Sequence, residues 1–305
     1  MDSCLFVGTS LVREGLDVND LELTLGGPGA VNIGTTAPYG AAGVFELQAQ
    51  IVAARGNQKF ECVVIGFNSH YLFDFTPESF DLTSTDYASQ LPSASLTRLA
   101  IEHHLQSQLA NLAFRIAYPF GRHSLILQRI YREALFELHQ SLIGRLSLEH
   151  FETFPDELKP ASSYFYLGPS IYIEATEEMA RVVSSMGMDN PEKYNDAGPT
   201  ISFRKSVNIF STLTDRLYIL RMPLTHVYDT AEAASAEAFA SALQSLPING
   251  VMSCDFPKAQ EPDVFYDSGH LNANGRRILS REVGAMLQLA MTGHESVAGT
   301  ICGWD

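Results

Sequence analysis

The residue types best suited to chemistry stand together near the carboxyl terminus, in the segment DSGHLNANG at positions 267–275. Asp267 precedes His270 by three positions, and this spacing can place both side chains on one side of a tight turn. The carboxylate can then orient the imidazole while the other ring nitrogen acts as a general base. By itself the pair is weak evidence, because an Asx-type turn that caps the last helix would have the same sequence.

A candidate nucleophile for such a base lies at the other end of the chain. The apolar run at residues 4–8 leads into Gly8, Thr9 and Ser10, so Ser10 is expected where a strand passes into a helix. The free backbone N–H groups of such a turn can stabilise an oxyanion, which suits a serine nucleophile in acyl transfer. The alternative is that Ser10 is an ordinary helix N-cap.

Four short blocks, taken in chain order, resemble those of the SGNH (GDSL-type) hydrolases, a superfamily of serine esterases and acyltransferases with a flavodoxin-like α/β/α fold. The blocks are GTS at 8–10, VNIGTTAPYG at 31–40, GFNS at 66–69 and DSGHLN at 267–272. The resemblance covers about residues 1–75 and 210–292.

The resemblance implies a role for one or two residues in each block. Ser10 is the expected nucleophile, His270 the base, and Asp267 the residue that orients the base. The oxyanion is expected to be held by the backbone N–H groups of Ser10 and Gly34 and by the side-chain amide of Asn68. The resemblance implies neither a metal nor an organic cofactor.

Two positions depart from the family's pattern. Thr9 and Ser69 stand where the family usually has Asp. Both positions support the site without forming its nucleophile, base or oxyanion donors. They therefore leave the expected mechanism in place but weaken any subfamily label.

The expected function follows from the resemblance. A large insertion between the third and last blocks is similar to the layout of SGNH proteins that move or remove O-acyl groups on bacterial cell-surface polymers. This implies a serine esterase or O-acyltransferase acting on short acyl esters, such as acetyl groups, of a small molecule or a carbohydrate, including polysaccharides and other glycans. The alternative, favoured by the departures at Thr9 and Ser69, is a catalytically degenerate SGNH fold that binds carbohydrate or acts as a scaffold. A nucleotide-binding regulator would need an acidic or phosphate-cradling loop after the first strand, which residues 9–11 do not supply.

Other histidines and one arginine are further candidates. Arg221 and His226 flank Pro223 at the end of a predicted strand and are expected to line the substrate site. His226 is also the one rival to His270 as general base, its alternative role being a loop histidine that packs at the strand end. His103 and His104 are adjacent on a predicted helix and have no spaced partner, so no metal site is predicted.

Strands and helices must bring these residues together. Four apolar runs predict buried strands, at residues 4–8, 60–66, 216–222 and 248–254. Helical patterns occur at residues 39–55, 230–246 and 274–291. The alternation predicts a three-layer α/β/α, flavodoxin-like parallel sheet, in which ligands bind beyond the carboxyl ends of the strands.

Residues 70–199 interrupt this alternation and are predicted to be a helical insertion in a single domain that spans residues 1–305. The stretch contains three helical patterns, at residues 95–117, 124–146 and 174–186, and an aromatic patch at residues 164–172. The other interpretation is a larger outer layer of the same domain.

Charge and composition exclude several classes of partner. The chain has 35 acidic and 20 basic side chains and a formal net charge of −15, so no nucleic-acid or anionic-membrane partner is expected. No run of about 18 apolar residues exists, and no membrane span is predicted. The four cysteines, Cys4, Cys62, Cys254 and Cys302, are scattered. The first three lie in apolar runs and are expected to be free, buried thiols.

The position of Ser10 also bears on localisation. Residues 1–20 lack the basic, apolar and small-residue segments of a secretory signal, and a nucleophile at residue 10 leaves no room for one. We therefore expect either a cytoplasmic protein or an excised extracytoplasmic domain whose signal or anchor has been removed.

Overall fold

In a computed structural model of the protein, the described residues are 3–34, 42–54, 59–68, 198–232, 243–267, 269–292 and 298–300. They all belong to one unit of the chain, formed by Met1–Phe75 together with Glu157–Asp305. The insertion predicted at residues 70–199 lies outside the described residues except at 198–199. The predicted helices and the aromatic patch of the insertion therefore lie outside the described residues. The same holds for His103, His104 and Ser69.

A parallel sheet of six strands forms the centre of the described structure. The strands are β1 (Ser3–Val7), β2 (Gly29–Asn32), β3 (Cys62–Phe67), β4 (Leu217–Arg221), β5 (Gly250–Ser253) and β6 (Ala298–Thr300). Their order across the sheet is β2-β1-β3-β4-β5-β6, and all neighbours are parallel. This is the flavodoxin-like strand order with one further edge strand, which confirms the predicted fold class.

The inner strands are short runs of buried apolar residues. β1, β3 and β4 are buried along almost their whole length, as expected for parallel strands that helices cover on both faces. The chain adds β2 on one side of β1 and β3 on the other. In such sheets the loops that leave the two central strands diverge and open a crevice beyond the carboxyl ends. Ser10 follows β1 and Asn68 follows β3, so both lie at this edge.

Seven α-helices are present in the described residues. They are α1 (Ser10–Gly15), α2 (Val18–Leu25), α3 (Ala42–Ala54), α4 (Gly198–Ser211), α5 (His226–Glu232), α6 (Glu261–Val264) and α7 (Ala273–Met291). α2 packs against α7, and α3 packs against α4. Right-handed crossovers place α1 and α2 on one face of the sheet and α3 on the other, because β1-to-β2 and β2-to-β3 run in opposite directions. Phe45, Phe67 and Phe203 form an aromatic cluster where α3 and α4 meet β3.

The predicted elements agree with most of this architecture. The four predicted strands are present as β1, β3, β4 and β5, and the predicted helices at 39–55 and 274–291 are present as α3 and α7. The predicted helix at 230–246 begins earlier, at His226, and residues 233–242 lie outside the described residues. No helix in the described parts of the chain is long and apolar enough to cross a membrane.

The prediction of free thiols is wrong for at least three cysteines. Cys4 and Cys62 are opposite each other in the register of β1 and β3, with a Cα–Cα distance of 4.5 Å, and form a disulfide. Cys254 is disulfide-bonded as well, and Cys302 lies outside the described residues. The sequence shows that residues 4 and 62 lie on strands, but their pairing depends on which strands are neighbours and in what register.

Candidate active site

The structure brings Ser10, His270 and Asp267 into one continuous hydrogen-bonded chain. Ser10 Oγ lies 3.0 Å from His270 Nε2. His270 Nδ1 lies 2.9 Å from one Asp267 carboxylate oxygen and 3.0 Å from the other. About a fifth of each of the His270 and Asp267 side chains is exposed, at 19% and 21%. In this arrangement a histidine can accept the proton of a serine hydroxyl while a carboxylate holds the ring.

The turn between β1 and α1 presents the Ser10 hydroxyl to the histidine. Thr9 is the N-cap of α1, because its Oγ1 accepts the Leu11 N–H at 3.4 Å and its carbonyl accepts two further N–H groups of the first turn. Ser10 is the first residue of the helix, and its hydroxyl bonds His270. This geometry excludes Ser10 as an ordinary N-cap. The threonine that departs from the family's pattern does the capping.

Glycines at the ends of β1 and β3 let α1 approach the sheet closely. A Cβ atom on Gly8 would lie 2.3 Å from Val12 Cγ2, and one on Gly66 would lie 2.0 Å from the same atom. Val12 therefore fills the space beside both strand ends, and a larger residue at either position would displace α1. The GTS and GFNS blocks are thus joined by one packing contact that holds Ser10 at the edge of the sheet.

The turn that carries His270 is built by the same aspartate that orients its ring. Asp267 Oδ1 accepts the main-chain N–H groups of Gly269 at 2.9 Å and of His270 at 2.7 Å. The Asx-type turn expected as the alternative is therefore present, and the carboxylate bonds the imidazole in addition. The last helix has a different cap, since Asn272 Oδ1 accepts N–H groups from the first turn of α7.

The surroundings of Asp267 keep its carboxylate ionised. Burial alone would raise the pKa of Asp267, but the hydrogen bond and charge of the His270 ring and the main-chain N–H groups of Gly269 and His270 outweigh it. The pKa of Asp267 therefore lies below its ordinary value. A negative charge at this position stabilises the imidazolium that forms when His270 takes up a proton.

Of the two backbone groups expected to hold the oxyanion, only the Ser10 N–H has no hydrogen bond to the described residues. The Gly34 N–H is donated to Asn32 Oδ1 at 2.8 Å. A Cβ on Gly34 would lie 2.5 Å from the main-chain nitrogen of Arg13, so the absence of a side chain at Gly34 lets the end of β2 pack tightly against α1. The structure thus gives Gly34 a packing role and leaves its N–H engaged.

Asn68, the third expected oxyanion donor, connects the end of β3 to the end of β4. Its Nδ2 donates to the Met222 carbonyl at 2.9 Å, and its Oδ1 accepts the Met222 N–H at 3.0 Å. The side chain is fully buried. The Met222 carbonyl accepts one of the two hydrogens of the Asn68 side-chain amide. A role for Asn68 in an oxyanion hole therefore depends on the other hydrogen.

Arg221 and His226, the two residues expected to line the substrate site, stand at the two ends of the loop between β4 and α5. Arg221 forms an ion pair with Asp229 of α5. The main-chain N–H of His226 is donated to the buried carboxylate of Glu261. Leu224, between them, lies beside the turn of the candidate base, 3.7 Å from a Cβ built on the glycine of that turn. The loop therefore adjoins the triad, and the substrate-lining roles stay predictions.

Asn32 and Asn272 support the site but are not among the residues predicted from the sequence. Asn32 Nδ2 donates to the carbonyls of Val12 and Leu16 at 3.0 Å each, which attaches the end of β2 to α1. Asn272 Nδ2 donates to the Asp263 carbonyl at 3.0 Å and attaches α7 to α6. An asparagine just before a predicted helix is an N-cap signal that identifies Asn272. The role of Asn32 depends on tertiary contacts for which the sequence has no signal.

The side chains grouped at this site are those of the candidate nucleophile, the candidate base and the carboxylate beside it. In the described parts of the chain no three His, Cys, Asp or Glu side chains are grouped as possible metal ligands. Ser10, His270 and Asp267 can transfer a proton and form a covalent bond to a carbonyl carbon.

The chain matches no protein-family model, and no curated protein matches it. The resemblance to SGNH hydrolases therefore stays a prediction from four short blocks. The geometry of Ser10, His270 and Asp267 is the observation from which a function can be argued.

Proposed function

We propose that the protein is a serine esterase or O-acyltransferase that forms an acyl-enzyme on Ser10. The observation that carries this proposal is the hydrogen-bonded chain from Asp267 through His270 to Ser10, with distances of 2.9 and 3.0 Å. Ser10 and His270 are 260 positions apart, and they meet because the fold brings both ends of the sequence to one edge of the sheet.

The first half of the proposed reaction acylates the serine. His270 Nε2 accepts the proton of the Ser10 hydroxyl as Oγ bonds to the ester carbonyl carbon, and the Asp267 carboxylate stabilises the imidazolium. When the tetrahedral intermediate collapses, the bond to the alcohol oxygen breaks. The imidazolium returns its proton to that oxygen, so the alcohol leaves as a neutral molecule.

The second half releases the acyl group. The neutral His270 ring accepts a proton from a water or from an acceptor hydroxyl while that oxygen attacks the acyl carbonyl carbon. The bond to Ser10 Oγ then breaks, and the imidazolium protonates the serine. Water gives hydrolysis and an acceptor hydroxyl gives acyl transfer, so the same three side chains serve both reactions.

Both halves form an oxyanion that needs hydrogen-bond donors. The Ser10 N–H is the donor with no partner among the described residues. In this proposal the second donor is the remaining amide hydrogen of Asn68, since the Gly34 N–H is engaged by Asn32.

The proposed substrate is an ester of a short acyl group, such as acetyl, on a carbohydrate or a small molecule. The order of the four sequence blocks and the insertion between the last two support this class. The net charge of −15 disfavours a strongly anionic polymer as the substrate.

One observation favours a second candidate function. The Gly34 N–H and the Asn68 amide, two of the three expected oxyanion donors, are bonded to Asn32 and Met222. A protein that keeps the triad but lacks these donors would bind a carbohydrate, or act as a scaffold, with little turnover.

Hydrolysis of p-nitrophenyl acetate distinguishes the two functions. Ser10→Ala should lower kcat by roughly 10³-fold or more, because the nucleophile is lost. Ser211→Ala is a matched control, since Ser211 Oγ donates to the Asn208 carbonyl of its own helix, and this variant should keep the wild-type kcat. A wild-type protein no more active than Ser10→Ala that still binds an oligosaccharide would support the second function instead.

A further inference from the structure

Gln48 is a fully buried polar residue on the face of α3 that otherwise packs apolar side chains against the sheet. Its Nε2 donates two hydrogen bonds, to the Gly8 carbonyl at 2.7 Å and to the Ile33 carbonyl at 3.1 Å. Gly8 follows β1 and Ile33 follows β2. One side-chain amide therefore connects the ends of two neighbouring strands, and we call this pair of bonds the Gln48 tie.

The Gln48 tie begins where the main-chain ladder ends. The last main-chain bond between these strands joins the Ile33 N–H to the Phe6 carbonyl at 2.9 Å. Beyond it one chain continues through Gly8 to Ser10 and the other through Ile33 to Gly34. The two hydrogens of the Gln48 amide bond one carbonyl from each chain and so connect the two strand ends beyond the ladder.

The orientation of the amide is set by its partners. Carbonyl oxygens only accept hydrogen bonds, so the NH2 group must face them and the oxygen must point away. Among the described residues Gln48 Oε1 has no hydrogen-bond partner, although it is buried. A buried acceptor without a partner lowers stability, and an apolar side chain at this position would avoid that loss. The contribution of Gln48 therefore lies in the two bonds that it donates.

These bonds act on the backbone that leads directly to the nucleophile. Gly8 is two residues before Ser10, and a glycine peptide unit can rotate more freely than any other. Fixing the Gly8 carbonyl fixes the plane of the peptide that enters Thr9, and with it the direction of the first turn of α1. A displacement of about 1 Å between a nucleophile and its base can reduce the rate by about 10²-fold.

We propose that Gln48 is a positioning residue for the nucleophile, which holds the turn at Gly8 so that Ser10 Oγ meets His270 Nε2. The inference rests on the proposed function of Ser10. Both hydrogen bonds that Gln48 donates go to main-chain carbonyls and not to the side chains of Ser10, His270 or Asp267, so its effect passes through the backbone.

Kinetics of three variants test this role. Gln48→Met keeps the length of the side chain and removes both donors, and it should lower kcat for p-nitrophenyl acetate by about 10- to 100-fold while KM changes less than about twofold. Gln50→Met is the matched control on the same helix, because Gln50 donates to Glu46 of α3 and to neither strand end. The control should keep the wild-type kcat.

Gln48→Glu adds a readout that a purely structural role would not move. A protonated carboxyl group can donate one hydrogen bond to the strand ends, whereas a carboxylate donates none and faces two carbonyl oxygens. The ratio of kcat for Gln48→Glu to kcat for wild type should therefore fall as pH rises, at temperatures where circular dichroism shows both proteins folded. A ratio independent of pH would overturn the proposal. This variant also decides the matter if Gln48→Met does not fold.

Hydrogen exchange separates failure of this inference from failure of the proposed function. In Gln48→Met the amides of peptides spanning Gly8–Gly15 should exchange faster, while those of α7 should keep their wild-type rates. If wild type forms an acyl-enzyme and Gln48→Met retains its kcat within twofold and its exchange rates, the positioning role is wrong. Faster exchange at the turn in a protein whose wild type never acylates Ser10 would reject the proposed function, and the positioning role with it, while leaving the Gln48 tie intact.

Discussion

At the scale of single residues, Asp267 combines two functions that can be separated by substitution. Its Oδ1 accepts two main-chain N–H groups and so builds the turn, while in the proposed mechanism its negative charge stabilises the imidazolium that His270 forms. An asparagine at this position keeps an oxygen for the turn but loses the charge. The consequence for the rate is large in this mechanism, because the charge on the histidine forms in the transition state.

The first prediction concerns the pH dependence of stability in Asp267→Asn. The pKa of Asp267 is lowered in the folded protein, so its ionised form stabilises the fold above the unfolded-state value of about 3.9, and this stabilisation is lost as pH falls through the folded-state pKa. Urea unfolding should find Asp267→Asn less stable than wild type between about pH 5 and 7, with a difference that shrinks below about pH 4. A difference that grows in acid would contradict the lowered pKa.

The second prediction separates the two candidate bases. A neutral imidazole must accept the Ser10 proton, so kcat/KM should rise with pH as the base loses its own proton. His270→Ala should abolish both the activity and this limb of the profile. His226→Ala should leave the limb in place and alter at most KM or acyl preference. An active His270→Ala together with an inactive His226→Ala would show that the base has been assigned to the wrong residue.

Among the secondary structure elements, the strands that can be predicted from the sequence are the buried ones with a continuous apolar run. β1, β3 and β4 are inner strands with long apolar runs, and each is predicted close to its observed bounds. β2 and β6 are edge strands of four and three residues, and neither has an apolar run that would identify it. An edge strand pairs with another strand on one side only, so its sequence shows a weaker apolar pattern.

In the candidate site, too, features with a local sequence pattern can be predicted, whereas features that depend on the folded chain cannot. The three residues that the structure brings together could be proposed from the sequence because each stands in a short block with a recognisable neighbour: Ser10, His270 and Asp267. The bonds of the Gly34 N–H and the Asn68 amide could not be foreseen, since they depend on where Asn32 and Met222 lie in the folded chain. Donor groups are shared among neighbours in space, and a linear motif does not record which neighbour engages them.

The third prediction concerns Asn68, which connects two strands. Asn68→Ala would leave the buried N–H and carbonyl of Met222 without their partner, and it should lower the free energy of unfolding by about 1–3 kcal/mol. Urea denaturation measures this loss. The same variant tests the oxyanion role, because loss of a transition-state donor should reduce kcat by about 10²- to 10³-fold with little change in KM. A stability loss with kcat unchanged would leave Asn68 with the strand connection alone.

At the scale of the whole molecule, the site is assembled from both ends of the sequence on a sheet that a disulfide also holds together. Cys4 of β1 and Cys62 of β3 join the two strands whose loops carry Ser10 and Asn68. The bond closes a loop of chain with a sequence separation of 58. Loss of chain entropy in the unfolded state is the main expected source of its stabilisation.

The fourth prediction follows from that loop. By the chain-entropy relation, replacing Cys4 and Cys62 together by Ala should lower the free energy of unfolding by about 4 kcal/mol. Guanidinium unfolding of the variant and of wild type gives the difference. Alkylation of the denatured, unreduced wild type should label neither cysteine. Labelling of both, or equal stability of the two proteins, would show that Cys4 and Cys62 are free thiols, as expected from the sequence.

In the proposed reaction Ser10 becomes covalently acylated, and mass spectrometry of the protein can detect this acyl-enzyme. After brief exposure to p-nitrophenyl acetate and an acid quench, the intact mass of wild type should increase by one acetyl group, and peptide mapping should locate that group on Ser10. Ser10→Ala should gain no acetyl group, and Ser211→Ala should gain one as wild type does. Ester turnover by wild type with the acetyl group on another residue, or with no acetylated protein at all, would show that Ser10 is not the nucleophile.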